Sequence, residues 1–322
     1  MLTYNQAALV GRAIESIMAQ RVSFRFELII GDDGSTDGTQ AVLRQYAARY
    51  PEHILLVLHP RHYEGEVPGR TNNITNIRAC RGKYVAVCDG DDYWLSDTKL
   101  QRQYDLLEAR PDLALCYHNA LRVPVGDYAG WRYRQRRLDH YIDPKVPMGV
   151  YTHQDCIFNR HPSIPASSVF YRKACLGPLP GWFREVIHAD YFMHLLLTQH
   201  GDAHYANRID SAYVYSNTAM RETYFNRLEY YINAAEEHRI ASAVFPGYAR
   251  AKAHRRASLG CVGAYRLWRA GQYGQALRWL LAAPRYDPLV YFKVFYQHLR
   301  TRIARPRASV VSPGRDAAPK TV

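Results

Sequence analysis

Asp89, Asp91 and Asp92 stand together in the run Asp89-Gly90-Asp91-Asp92-Tyr93-Trp94, directly after the apolar stretch Tyr84-Val85-Ala86-Val87-Cys88. Three carboxylates at the end of a buried strand repel one another unless a cation lies among them. Hard oxygen ligands of this kind favour Mg2+ or Mn2+, ions that seldom have an all-protein cage and instead share phosphate oxygens with a substrate. A nucleoside diphosphate carries such oxygens. A lone Asp-Gly is more simply a capping turn, but three acids after an apolar strand favour the metal.

Asp32-Asp33-Gly34-Ser35 forms a second acidic cluster behind the apolar run Leu28-Ile29-Ile30. A carboxylate there can accept hydrogen bonds from a base N–H or from ribose hydroxyls, and Gly34 lets the backbone approach a ligand closely. Alone, this run also reads as a capped turn. Its pairing with the first cluster makes it part of a site.

The elements that must hold these acids alternate. Residues 6–20 place Leu9, Ala13, Ile17 and Met18 at helical spacing. A strand into Asp32 follows, then a helix with Ser35, Thr36 and Asp37 as cap candidates and Val42, Leu43 and Tyr46 along it. Residues 54–60 read as a strand, 70–82 as a helix closed by Gly82, and 83–92 as a third strand. This alternation predicts a parallel α/β sheet, in which functional groups gather at the carboxyl ends of strands. Both acid clusters fall there. A helix over Lys99 to Ala109 and a strand over 113–119 come next, and residues 120–166 read as irregular loops and short strands. Residues 166–174 return to order, and Trp182 to Gln199 reads as helical, with Phe192, Leu195 and Leu196 on one side. Beyond Tyr224 the pattern is helical. Residues 257–288, around Ala270-Gly271-Gln272-Tyr273, resemble one tetratricopeptide helix pair ended by Pro288.

At this point the likeness becomes specific. Thr3-Tyr4-Asn5-Gln6 and the segments 27–39, 81–94 and 99–108 resemble glycosyltransferase family 2 in both order and spacing. The resemblance implies a GT-A fold: α/β, with a Rossmann-like mixed, mostly parallel sheet flanked by helices. To this the chain adds a C-terminal helical extension. Residues 1–222 would form the catalytic domain, with a nucleotide-sugar half (1–118) and an acceptor half (119–222). Residues 223–304 would form the basic extension and 305–322 a disordered tail.

The implied activity is inverting transfer from a nucleotide-diphosphate sugar to a hydroxyl acceptor, a glycan or a lipid-linked molecule, in cell-surface polysaccharide or glycoconjugate synthesis. The family's Asp-x-Asp motif falls on Asp89 and Asp91 with Gly90 between them, Asp89 nearer the ribose and Asp91 nearer the Mn2+ or Mg2+. Asp92 is a further candidate ligand. The base-binding positions fall on Tyr4, on Asp33 or its neighbour Asp32, and on Arg70. Direct displacement needs an acid on the acceptor side to take the hydroxyl proton. The family places it before an apolar helix, where this chain has His188-Ala189-Asp190-Tyr191, so Asp190 is the expected base. Asp190 also suits a helix cap, and both roles can coexist. The upstream run Ser167-Ser168-Val169-Phe170-Tyr171-Arg172 resembles a family segment lining the acceptor side.

Two departures stand out. Family members begin with a full apolar strand before Thr-Tyr-Asn, whereas only Met1 and Leu2 precede Thr3 here. Relatives also carry a Tyr-Arg-x-His segment where this chain has Tyr215-Ser216-Asn217-Thr218, leaving leaving-group stabilisation more dependent on the metal. A non-catalytic nucleotide-sugar-binding relative and a metal-dependent nucleotidyltransferase are the alternatives; against the second, no Gly-rich, Lys-bearing phosphate loop is present near the start.

Charge separates the two ends. Of 42 Lys and Arg and 29 Asp and Glu, residues 250–322 hold 15 and 2, leaving 27 of each in residues 1–249. The excess points either to a polyanionic partner, whether an anionic membrane surface, nucleic acid or an acidic polymer, or to a solubilising helical face; cations and aromatics mixed over 289–303 suit an anionic membrane surface as partner for residues 250–304. The bland alternative packs those aromatics inside the helical module. Nucleic acid is not expected, because that partner leaves both acid clusters unexplained. Arg132, Arg134, Arg136 and Arg137 could bind a phosphate, although such a run is more often a solvated loop. The six cysteines lack Cys-x-x-Cys spacing, which argues against zinc or a disulfide framework. With no apolar run of spanning length, the expectation is a cytoplasmic protein with a peripheral seat on the inner face of the plasma membrane.

Overall fold

Leu28–Asp32 is buried along its whole length, as suits a strand covered on both faces, and it forms the middle of a three-stranded parallel sheet. The protein is represented by a computed structural model that describes residues 1–60, 67, 69–125, 139–215, 228–269 and 271–282. In chain order the first half reads β1 (Leu2–Thr3), α1 (Val10–Met18), β2 (Leu28–Asp32), α2 (Thr39–Arg49), β3 (Ile54–Leu58), α3 (Arg70–Ala79), β4 (Tyr84–Ala86), β5 (Tyr93–Trp94) and α4 (Lys99–Ala109). The alternation expected from the sequence is present. The spacing of Val10, Ile14 and Ile17 puts all three on the buried face of α1, against Leu28, Ile30 and Leu43.

The remainder of the α/β body is built from β6 (Leu113–Pro124), β7 (Gly149–Tyr151), α5 (His153–Phe158), β8 (Phe170–Arg172), α6 (Lys173–Leu176), α7 (Ala189–Thr198) and β9 (Asp202–Tyr215). These strands form a second sheet in the order β4-β8-β6-β9-β5, with β7 also on β9; only β6 and β9 run parallel. Strand β6 passes the expected end at Asn119 because β9 pairs with it as far as Pro124 and Tyr215. Strand β4 is shorter than expected. After Ala86 the chain bends, the Gly90 N–H donating to Leu2 O at 2.8 Å and the Asp92 N–H to Asp89 O at 3.1 Å, so the acids stand on a turn. Helix α3 ends before Gly82, at Ala79, because Cys80 is already extended (φ −61°, ψ 127°).

The chain divides into two compact units, Met1–Lys252 and the remainder from Ala253. The first includes α8 (Leu228–Val244) and α9 (Tyr248–Ala251); the second shows α10 (Ala253–Arg269) and α11 (Tyr273–Ala282). Gly271, at φ +77°, ends α10 with a Schellman turn: Gln272 N–H donates to Leu267 O and Gly271 N–H to Trp268 O. That turn is the centre of the helix pair read at 257–288; its final residues, the aromatic run 289–303 and the tail lie outside the described residues. Among those described, no helix is long and apolar enough to cross a membrane.

Two buried charges hold the frame in place. Glu237 on α8 is 2% exposed and accepts the Ile187 N–H at 2.8 Å, the His188 N–H at 2.9 Å and a contact from His188 Nδ1 at 2.9 Å. It fastens the segment that leads into α7. Lys99, at 0% exposure, donates from Nζ to Gln103 Oε1 at 2.7 Å and lies 4.3 Å from the Trp94 ring. Burial pulls its pKa from 10.5 down to about 8, partly opposed by Cys88, Cys116 and Asp210.

Two predictions follow from these charges. Glu237→Ala leaves two backbone donors and an imidazole without their acceptor and should cost roughly 2–4 kcal/mol by urea unfolding, with Glu237→Gln in between. Between pH 8 and 10.5 the unfolded chain keeps the Lys99 proton that the folded chain has released, so this contribution to stability rises with pH. Relative to Lys99→Met, the wild type should therefore gain about 2 kcal/mol between pH 7.5 and 9.5 in the same assay.

Candidate active site

Thr3 at the end of β1 and Asp32 and Asp33 at the end of β2 lie side by side because the two strands run parallel in register, Thr3 opposite Asp32. Asp32 is fully buried. Its carboxylate accepts from the Ser35 N–H at 2.9 Å, the Ser35 hydroxyl, Gln40 Nε2 at 2.7 Å and Thr3 Oγ1 at 3.1 Å. Of the two acids left open by the sequence, Asp32 is thus spent on the turn. Asp33, 3% exposed, donates its N–H to Thr3 O at 3.0 Å.

The loop after β1 is laced to the loop after β2. Asn5 N–H donates to Ser35 Oγ at 2.9 Å, Thr36 N–H to Asn5 Oδ1 at 2.8 Å and Ala7 N–H to Asp37 Oδ2 at 3.0 Å. Asn5 holds a left-handed backbone (φ 52°), and Tyr4 beside it is 44% exposed at the rim. From beneath, Asn72 Nδ2 on α3 donates to Gly31 O at 2.9 Å and Asn76 Nδ2 to Met1 O at 2.6 Å. A side chain at Gly31 would collide with both amides.

The turn after β4 comes within reach of this platform. A Cβ on Gly90 would meet Gln6 Oε1 and Thr3 Cγ2 at 2.5 Å, so only glycine fits. Gln6 hydrogen-bonds Asp91, easing a carboxyl that burial otherwise raises above its usual range. Asp92 points inward. It is 2% exposed and accepts the Val214 N–H at 2.9 Å and the Ser167 hydroxyl, while burial, then Asp89 and Asp91, push its pKa well up. The Asp92 carboxylate is thus engaged by the Val214 N–H and the Ser167 hydroxyl in the interior. Among the described residues no three His, Cys, Asp or Glu side chains form a ready metal cage.

Asp89 is half-buried and pushed up to about 7 by desolvation, then by Asp91 and by Asp190. An acid in the first turn of α7 therefore lies close enough to act on the Asp89 charge. Asp190 is exposed, and its Oδ1 accepts the Tyr191 N–H at 2.8 Å in the first turn of α7. Arg70, 4% exposed, donates to Val186 O and lies 5.2 Å from the Phe183 ring, bracing the segment ahead of α7. Asp89, Gly90 and Asp91 thus stand on one turn with Asp190 acting on Asp89, Asp33 and Gly90 each lie against Thr3, Tyr4 is exposed beside them, and Asp32, Asp92 and Arg70 bond to their surroundings. Two partly buried carboxyls, both raised by desolvation and Asp89 further raised by Asp91, that enter no ion pair among the described residues suit a divalent cation completed by phosphate oxygens.

Gln6, Ser167 and Glu237 are site-supporting residues to which the sequence assigned no chemistry. Gln6 and Ser167 lay inside motifs already singled out; Glu237 had no local signal. Ser216, Thr218 and the arginines from Arg132 to Arg137 lie outside the described residues.

The family model described as glycosyl transferase family 2 matches residues 1–164. An uncharacterized protein of Mycobacterium tuberculosis is 32% identical over 177 residues, covering 52% of this chain and 48% of its own length. The chain thus spans about half the length of the curated relatives it matches. The putative teichuronic acid biosynthesis glycosyltransferase TuaG of Bacillus subtilis is 32% identical over 108 residues, 34% of this chain and 40% of that protein. Among solved structures, Staphylococcus aureus TarS 1-349 in complex with UDP-GlcNAc superimposes with a TM-score of 0.61 at 15% identity, covering 93% of this chain and 90% of that one. The mannosyltransferase PcManGT of Pyrobaculum calidifontis, in complex with GDP-Man and Mn2+, gives 0.51 at 16% identity, covering 95% and 79%. With Asp32 and Asp33 at the end of a parallel strand, Asp89 and Asp91 on the turn after β4, and its motifs within the matched half, the chain belongs to glycosyltransferase family 2 and has the GT-A fold.

Proposed function

We propose that this protein transfers a sugar, with inversion, from a nucleotide-diphosphate sugar to a hydroxyl of a glycan or lipid-linked acceptor in polysaccharide or glycoconjugate synthesis. The observation that carries the proposal is the approach of Asp190 to Asp89, which sets an acceptor-side acid against donor-side acids. The solved relatives with UDP-GlcNAc and GDP-Man bound support a nucleotide-sugar donor, and TuaG supports a surface-polymer product.

On the donor side, Tyr4 and Asp33 hold the base and Asp89 the ribose, while Gly90 lets the turn lie close against the diphosphate. Asp91, with Asp89 beside it, would hold Mn2+ or Mg2+, which when bound would supply positive charge to the departing diphosphate. On the acceptor side, the Asp190 carboxylate takes the hydroxyl proton as that oxygen bonds to C1 of the sugar. The bond from C1 to the phosphate oxygen breaks, its electron pair leaves with the nucleoside diphosphate, and Asp190 keeps the proton until solvent removes it. Arg70 and Glu237 keep Asp190 in position by pinning the preceding segment at both faces. The basic residues 250–304 would keep the enzyme at an anionic membrane, near lipid-linked acceptors.

Thermal stabilisation by UDP-, GDP-, dTDP- and CMP-linked sugars, with and without Mn2+, followed by turnover with the responding donor, tests the proposal. One nucleotide should stabilise the wild type in a Mn2+-dependent way, and Asp91→Ala should lose that response. Asp190→Asn should keep it while kcat falls about 10²- to 10⁴-fold. Full turnover by Asp190→Asn would remove the assigned base.

A further inference from the structure

The outer ends of β6 and β9 have two unlike faces. On one, Leu121, Val123, Ala212 and Val214 are buried together with Tyr93. Register sets Arg122 beside Tyr213 and Pro124 beside Tyr215. On the other edge of β6, the bridge from Leu121 to His140 brings Asp139 beside Arg122 and Tyr141 beside Ala120. Alternation therefore puts Arg122, Asp139, Tyr141, Tyr213 and Tyr215 on the second face, and none of the five is buried. Their contacts agree. Tyr141 and Tyr213 meet edge to face with ring centroids 5.2 Å apart, the Arg122 guanidinium lies 5.0 Å from the Tyr215 ring centre, and Arg122 Nη1 is 3.8 Å from Asp139 Oδ2.

This face begins at the acidic turn. Strand β5 lies antiparallel on β9 with Trp94 opposite Ser211 and Tyr93 opposite Ala212, so the preceding residue, Asp92, comes opposite Tyr213. Asp92 also accepts the Val214 N–H at 2.9 Å. Leu2 O holds the same turn from its other side, through the Gly90 N–H at 2.8 Å. Tyr213 and Tyr215 thus lead away from the turn on the side remote from β1 and from the residues assigned to the nucleotide. Side chains two residues apart on a strand are separated by about 6.6 Å, the scale of one sugar ring.

The chemistry of the face suits sugars. A pyranose presents C–H groups on its ring faces and hydroxyls around its edge, and a half-exposed tyrosine offers the matching pair, an apolar ring with a polar tip. Arg122 and Asp139, with side chains 40% and 54% exposed, add a donor and an acceptor for the hydroxyls. Resting on the transfer reaction proposed above, we infer that this face carries the acceptor, and that the acceptor is a glycan chain of three or more sugars. Its reacting end lies at the acidic turn, the sugars behind it stack on Tyr213 and Tyr215, Tyr141 braces Tyr213, and Arg122 and Asp139 bond the hydroxyls. The enzyme then lengthens a chain that an earlier glycosyl transfer has begun.

The test uses the full-length protein, the nucleotide sugar that stabilises it, and acceptors of two and six sugars released by mild acid from the surface polysaccharide of its own cells. The wild type should use the six-sugar acceptor with kcat/KM about tenfold above that for the two-sugar acceptor. Tyr215→Ala, Tyr213→Ala and Arg122→Ala should each lower that ratio by about threefold or more, chiefly through KM for the longer acceptor, whereas Tyr213→Phe keeps the ring and should keep the ratio. Arg122→Ala gives the readout even if Tyr213→Ala fails to fold. A wild-type ratio near one, or a ratio that survives in both Tyr215→Ala and Arg122→Ala, overturns the inference and leaves the transfer reaction standing. No transfer to either acceptor, with no response to any nucleotide sugar, removes the reaction and the inference together.

Discussion

Carboxylates that have been taken out of water and left near one another set the terms for the architecture around residues 89–92. Burial raises Asp91, burial and its neighbours raise Asp92 well above the usual range, and Asp89 is pushed up to about 7. Such a turn survives only if its surroundings offer donors or a cation. The donors come from three directions: Gln6 after β1, Ser167 before β8 and the Val214 N–H on β9. Each is far from the acids in sequence. The turn therefore depends on both sheets being assembled, and Gly90 admits it to the gap beside Thr3 and Gln6.

A second demand is that an acid from α7 face this turn without collapsing into it. Asp190 lies at the exposed start of its helix, and the segment before it is gripped from two sides, by the Arg70 guanidinium at Val186 and by the Glu237 carboxylate at Ile187 and His188. Both grips are buried charges bonded to backbone, an expensive arrangement to break but one that fixes position well. Helix α8 thus helps hold the segment that leads into α7, through Glu237.

Local pattern revealed much of this. The apolar runs before Asp32 and Asp89, and the helix at Lys99–Ala109, depend on neighbours in sequence, and so were legible as elements. What pattern did not reveal was set by distant contacts. Strand β9 mixes Asp, Arg, Asn and Tyr with apolar residues, and its pairing with β6 passes through register shifts, so no clean alternation marks it. The choice between Asp32 and Asp33 depends on which carboxylate Ser35, Gln40 and Thr3 reach, and the inward turn of Asp92 depends on Val214. Glu237 lies about fifty residues from the segment it holds, beyond the reach of any motif.

Under the proposed function, the acidic turn is short of positive charge until a metal and a nucleotide diphosphate arrive. Calorimetry of the wild type with Mn2+ and its nucleotide sugar, in buffers of different ionisation heat, measures this directly as proton release. With Asp89 near 7, binding at pH 7 should release about half a proton, more at lower pH and almost none near pH 9. Binding without proton release across that range would contradict the account.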